Sequence, residues 1–105
     1  MIWHKIAESR LELFSDTNNN LVEIDVKGKK ICLVNNHDGL NGCVAKCPHA
    51  GGKMADGYID ALGNIVCPLH RYKFDLKKGR NISGEGYFLK TYPIEEREDG
   101  IFVAI

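Results

Sequence analysis

No run in this sequence is long or apolar enough to cross a membrane as a helix: Ile31 to Val34 falls far short of the roughly 20 residues required. The opening Met1-Ile2-Trp3-His4-Lys5 lacks the apolar stretch of a secretion signal. An excess of one charge is missing too. Lys plus Arg and Asp plus Glu stand at 14 each, which leaves no basic field for nucleic acid and no acidic tail. No internal repeat or low-complexity segment breaks the chain, and no side-chain nucleophile stands with an evident base, so catalysis by this chain alone is not expected. From these absences we expect a cytoplasmic protein without membrane or nucleic-acid partners.

What is present is a single domain, residues 1–105, read as all-β. Ile2, Trp3 and Ile6 suggest an edge strand. Leu11 to Phe14 is ambiguous, and Ser15 to Asn20 is a polar loop. Leu21 to Val26, a turn at Gly28-Lys29 and Lys30 to Val34 make a hairpin. After a turn at Asn35 to Gly39, a strand at Gly42 to Lys46 leads to Cys47. Turns at Ala55-Asp56-Gly57 and Leu62-Gly63-Asn64 flank a strand at Tyr58 to Ala61, and Ile65-Val66 leads to Cys67. Tyr72 to Leu76 descends to a turn at Lys77 to Arg80, and Asn81 to Gly86 is a loop. Tyr87 to Glu95, broken by Pro93, and Ile101 to Ile105 are joined through Asp99-Gly100. Such short, evenly spaced strands indicate a small sandwich or barrel. Trp3, Tyr87, Phe88 and Tyr92 are the expected aromatic core.

The chemistry concentrates in Cys47-Pro48-His49 and Cys67-Pro68-Leu69-His70, separated by Ala50 to Val66. In a reducing compartment four cysteines are ligands or buried thiols sooner than a disulfide framework. Two thiolates and two imidazoles suit iron or zinc, not calcium or magnesium. Structural zinc sites usually place two to four residues between the ligands of one loop. Cys47 and His49 have one between them. That short bite reaches two neighbouring metal atoms more easily than one, which is a binuclear reading.

With these flanks the sequence resembles the Rieske-type ferredoxins. The resemblance extends through Ala50-Gly51-Gly52, Asp56-Gly57, Gly63-Asn64-Ile65-Val66, Phe74-Asp75-Leu76 with Gly79, and Leu89 to Ile94 with Asp99-Gly100. It covers about the last two thirds of the chain and implies a Rieske-type β-sandwich or barrel with a cluster-binding subdomain of two ligand loops at about residues 43–76. It also implies one [2Fe-2S] cluster per chain, held by Cys47 and Cys67 on one iron and by His49 and His70 on the other. The Rieske proteins of respiratory complexes have an extra cysteine in each loop; Gly52 and Leu69 occupy those positions here, so no bridge can form. By this resemblance Tyr72 and Phe74 stand where those proteins have hydroxyl donors, which lowers the expected potential. The implied function is one-electron transfer from a reductase to a terminal oxygenase or similar redox enzyme. The small subunit of an assimilatory nitrite reductase resembles this pattern as well, and a zinc-stabilised interaction domain is the alternative of another class.

Cys32 and Cys43 read as buried strand thiols, His4 and His37 as surface histidines. Lys46, Lys53, Arg71 and Lys73 lie within a few residues of the ligands. They form either a basic docking face for an acidic partner or ordinary solvated loop charge, and salt-insensitive electron transfer would count against docking.

Overall fold

β3 (Lys29–Asn36) is the strand on which the two cores meet. Its centre, Ile31 to Val34, is buried on both faces, with successive side chains pointing to opposite sides as a pleated strand requires. Ile31 and Leu33 join Val26, Tyr92 and Val103 in one core. Cys32 and Val34 join Met54, Ile65, Phe74 and Leu89 in the other, which also contains Cys47 and Cys67. One strand thus supports both the β scaffold and the floor of the ligand loops.

The computed structural model describes residues 1–49, 51–84 and 86–105. Among them three antiparallel sheets form. β1 (Trp3–Ala7), β9 (Ile94–Arg97) and β10 (Gly100–Ala104) pair in the order β1-β10-β9. β2 (Leu21–Val26), β3, β4 (Gly39–Val44) and β8 (Thr91–Tyr92) pair in that order. β5 (Tyr58–Ile59), β6 (Ile65–Val66) and β7 (Lys73–Phe74) form the small sheet beneath the loops. A short helix α1 (Arg10–Phe14) and a 3-10 turn (Met54–Asp56) complete the elements. The all-β expectation holds. No helix among the described residues is long and apolar enough to cross a membrane.

Several boundaries differ from the sequence reading for local reasons. Leu11 to Phe14 lies in α1, whose start is capped by the Ser9 hydroxyl accepting the Glu12 N–H at 3.3 Å. The β2–β3 turn is centred on Lys27-Gly28, both at positive φ, the geometry that matches the twist of a two-residue hairpin. β4 begins and ends earlier than expected, at Gly39 and Val44. Pro93 separates β8 from β9 because it has no N–H for the ladder. Of the four aromatics expected inside, Tyr92 is buried, while Trp3, Tyr87 and Phe88 are exposed, Phe88 at 69%. Trp3 instead lies at the edge, beneath the Arg97 guanidinium at 5.2 Å.

β5 stops at Ile59 because Asp60 turns the chain. Its Oδ1 accepts the N–H groups of Leu62 and Asn64, each at 2.9 Å, and its Oδ2 lies 4.0 Å from Lys73 Nζ. Burial pushes this carboxyl up, but the Asn64 and Leu62 donors and the Lys73 charge outweigh it and hold Asp60 below the usual aspartate value. A depressed folded pKa contributes stability that is present above the unfolded value of about 3.9 and is lost as pH falls through the folded value. Thermal unfolding of the native protein and of Asp60→Asn between pH 3 and 7 should therefore give a midpoint gap that is constant above about pH 5 and shrinks below about pH 4. A gap that does not change with pH would contradict the assignment.

Candidate metal centre

The first ligand loop leaves β4 and closes on itself. Cys47 N–H donates to the Gly52 carbonyl at 2.8 Å, and Gly51 N–H donates to the Cys47 carbonyl at 2.9 Å. Lys46 and Lys53 pair as an antiparallel bridge at its base. The second loop joins β6 to β7, where Cys67 N–H donates to the Tyr72 carbonyl at 2.9 Å. At its tip His70 and Arg71 both occupy the left-handed region, φ 62° and 56°, a conformation that costs non-glycine residues of order 1 kcal/mol or more each. Local bonding therefore shapes each loop on its own.

Gly52 is where the two loops touch. A Cβ added there would stand 3.0 Å from Leu69 Cδ1 and 3.2 Å from Cys67 Sγ, so glycine allows the approach. The same close packing places position 52 beside Leu69, the pair that carries no cysteine in this chain.

The four expected ligand residues come together as two pairs. Cys47 and Cys67 are buried in one core cluster, at 3% and 0% exposure. The His49 and His70 rings lie 5.2 Å apart, inclined at 64°. His49 is half-buried and His70 is exposed, so the imidazoles form the outer side of the site. Burial pushes the Cys67 thiol up to about 11; the Leu69 N–H opposes this, and the Cys47 sulfur adds to it. Among the described residues, no three His, Cys, Asp or Glu side chains converge to hold a single ion.

One polar atom tests the fit of a metal group. His49 Nδ1 is buried and has no hydrogen-bond partner among the described residues. A buried, unpaired imidazole nitrogen is costly unless something occupies its lone pair or its proton. Two sulfurs and two ring nitrogens, one of them orphaned, fit a sulfide-bridged iron pair with sulfur on one metal and nitrogen on the other.

The sequence reading placed Tyr72 only as a lost hydroxyl position. Here its ring stacks on His49, with centroids 4.0 Å apart and planes at 25°, and Tyr87 closes in at 5.2 Å. Spacing along the chain gives no signal for this contact, because it needs both loops and the segment after residue 85 in place. Phe74, the other position without the expected donor, is fully buried. Cys32 and Cys43 face each other across β3 and β4, both wholly buried, as expected of core thiols. The hydrogen-bonded Cys32 sulfur and burial push the Cys43 thiol well above its ordinary range. His37 is an exposed turn residue, and His4 lies half-buried on β1. Ala50, included in the resemblance, lies outside the described residues.

Two loops at one end of a β domain, presenting paired thiols inside and paired imidazoles outside, define a class of small metal-centre proteins suited to electron exchange. The family model described as the Rieske [2Fe-2S] domain matches residues 3–93. The chain belongs to that family. It is 27% identical over 84 residues to the ferredoxin component of the naphthalene 1,2-dioxygenase system of Pseudomonas aeruginosa, covering 79% of this chain and 80% of that one. Its fold matches the ferredoxin of carbazole 1,9a-dioxygenase from Nocardioides aromaticivorans with TM-score 0.78 and 22% identity, covering 99% and 98% of the two chains. It also matches a putative NADH-dependent nitrite reductase small subunit from Mycobacterium tuberculosis with TM-score 0.82 and 21% identity, covering 99% and 95%.

Proposed function

We propose that this protein is a cytoplasmic, monomeric one-electron carrier that holds one [2Fe-2S] group through Cys47, His49, Cys67 and His70, within a cluster-binding region at about residues 43–76. It accepts an electron from a reductase and passes it to a terminal oxygenase or a similar redox enzyme. The observation that carries this reading is the sorting of donors into a buried sulfur pair and an outer nitrogen pair, with His49 Nδ1 buried and unpartnered. When bound, such a group supplies reversible one-electron chemistry.

The chain's own residues set the conditions for that exchange. Cys47 and Cys67 must release their thiol protons to act as ligands, and burial keeps Cys67 protonated until they do. His70, at the exposed rim, gives a partner a short through-bond path, while Tyr72 and Tyr87 cover His49. Phe74 has no hydroxyl to donate to a sulfur. Fewer donors stabilise the added negative charge less, which lowers the potential.

A spectroelectrochemical titration of the purified protein tests this. The expected result is a single one-electron wave in the lower part of the Rieske span of about −150 to +300 mV. A value in the upper third of that span would overturn the potential argument, and no reversible wave would overturn the carrier role. The full-length likeness to a nitrite reductase small subunit supports a second reading, in which the same site serves inside a larger enzyme. Stable co-purification with a large subunit at fixed stoichiometry would select it.

A further inference from the structure

The charge near the ligand loops is unevenly compensated. Lys46 and Lys53 are cross-strand partners at the base of the first loop, both exposed. Like charges placed opposite each other across a strand pair repel, and no carboxylate among the described residues forms an ion pair with either. A surface groove runs between them, floored by Val44 and Ala45, with Lys30 on its wall and Glu23 as the acid among its lining residues.

The three lysines near the ligands thus separate into two kinds. Lys73 lies 4.0 Å from Asp60, whereas Lys46 and Lys53 combine with Lys30 into a single cationic groove bordering Cys47. The chain is neutral overall, because acids collect elsewhere, including Glu95, Glu96, Glu98 and Asp99 on the β9–β10 hairpin. A neutral protein with this separation is steered by its local field, not by its net charge.

We infer that the Lys30, Lys46 and Lys53 groove is the docking surface for an acidic segment, rich in Asp and Glu, on the protein redox partner. The inference rests on the electron-carrier reading and adds the partner's surface chemistry to it. An acidic segment in the groove relieves the repulsion between Lys46 and Lys53 and sets the partner against the first ligand loop. Val44 and Ala45 line the groove between the lysines, which provide attraction that salt screens.

The experiment uses the iron-loaded protein and two readouts. Fluorescein-labelled poly-L-glutamate is titrated and followed by anisotropy, and the dithionite-reduced protein is reoxidised by hexacyanoferrate(III) in stopped flow at low and high salt. Lys46→Glu/Lys53→Glu is compared with Lys77→Glu/Lys78→Glu, which makes the same change in net charge on the exposed turn after Leu76. The expected result is about a tenfold loss of both polyglutamate affinity and low-salt reoxidation rate in the first variant, and less than a twofold change in the second. Lys30→Glu, on the β2–β3 hairpin and away from the ligand loops in sequence, should reproduce part of the loss, which covers the case that the Lys46 change disturbs iron loading. Equal losses in both double variants, or none in either, would overturn the groove. Tighter binding of duplex DNA or of anionic vesicles than of polyglutamate would overturn the acidic protein partner. A protein that never reduces removes the carrier reading itself, an outcome distinct from reduction that is indifferent to Lys46 and Lys53.

Discussion

Cys67→Ser is expected to abolish iron binding: visible absorption disappears, iron falls from about two per chain to background, and no reversible electron uptake remains. The substitution is nearly isosteric. What it removes is the soft, ionisable donor, since a serine hydroxyl does not ionise near neutral pH and is a poor ligand for iron that wants sulfur. The change also leaves a hydroxyl in a fully buried position, at a cost of about 1–3 kcal/mol if it finds no partner. Loss of folding must therefore be separated from loss of a ligand. Cys43→Ser provides the control, because Cys43 is equally buried in the same core but faces Cys32 across β3 and β4 and is not among the four expected ligands. It should lose a comparable amount of stability and keep its iron. Iron retained in Cys67→Ser and lost in Cys43→Ser would mean that the ligands are wrongly assigned.

Gly79→Ala should produce the largest loss of stability of any single methyl addition beneath the loops. Gly79 sits at φ +72°, and a Cβ there would overlap the Leu89 carbonyl oxygen and carbon. That carbonyl cannot move freely, since the Leu89 N–H donates to the Gly79 carbonyl at 2.8 Å and the Leu89 side chain is 1% exposed in the core that holds Cys47 and Cys67. The turn is held from the other side as well, by Asp75 accepting the N–H groups of Lys77 and Lys78. Left-handed backbone alone costs an alanine about 1–2 kcal/mol, and displacing a bonded segment brings the total to about 3–4 kcal/mol. For a domain of this size that lowers the unfolding midpoint by more than about 10 °C. Gly84→Ala is the matched comparison: its φ is +92°, but nothing lies within 4 Å of the added Cβ, so it carries the backbone cost alone. Thermal unfolding that ranks the two variants equal would show that the overlap is relieved without cost.

The metal pattern was legible because its chemistry is local. A thiol and an imidazole separated by one residue, with a second such pair separated by two on another loop, restrict the possible metal groups before any fold is known. The β2–β3 pairing was legible because a glycine turn joins two apolar runs, although the turn falls at Lys27-Gly28, one residue before the expected Gly28-Lys29. Boundaries shifted where a single side chain intervenes: Asp60 ends β5 two residues early by drawing the Leu62 and Asn64 N–H groups to itself. Burial of the aromatics differs from the expectation because Tyr92 lies on β8 and packs into a core, whereas Phe88 lies outside the strands, in an isolated bridge with Arg80, and composition does not show that difference. The Tyr72 stack on His49 was unreadable from spacing, and, although Lys46 and Lys53 were legible as a candidate basic face, the joining of Lys30 to them was not. Both arise where segments distant in sequence meet, and residue spacing carries no trace of that meeting. The all-β expectation holds despite these differences because β3 needs apolar side chains on both faces, and Ile31 to Val34 supplies them without a break.

The most direct test of the central claim is an electron paramagnetic resonance spectrum of the anaerobic protein before and after dithionite, with iron and zinc measured on the same sample. The account predicts a red-brown protein with about two irons per chain, silent when oxidised and, when reduced, giving a signal of the low average g that histidine ligation produces. A colourless protein with about one zinc per chain and no signal after dithionite would contradict it, and would make Cys47, His49, Cys67 and His70 the ligands of a structural ion.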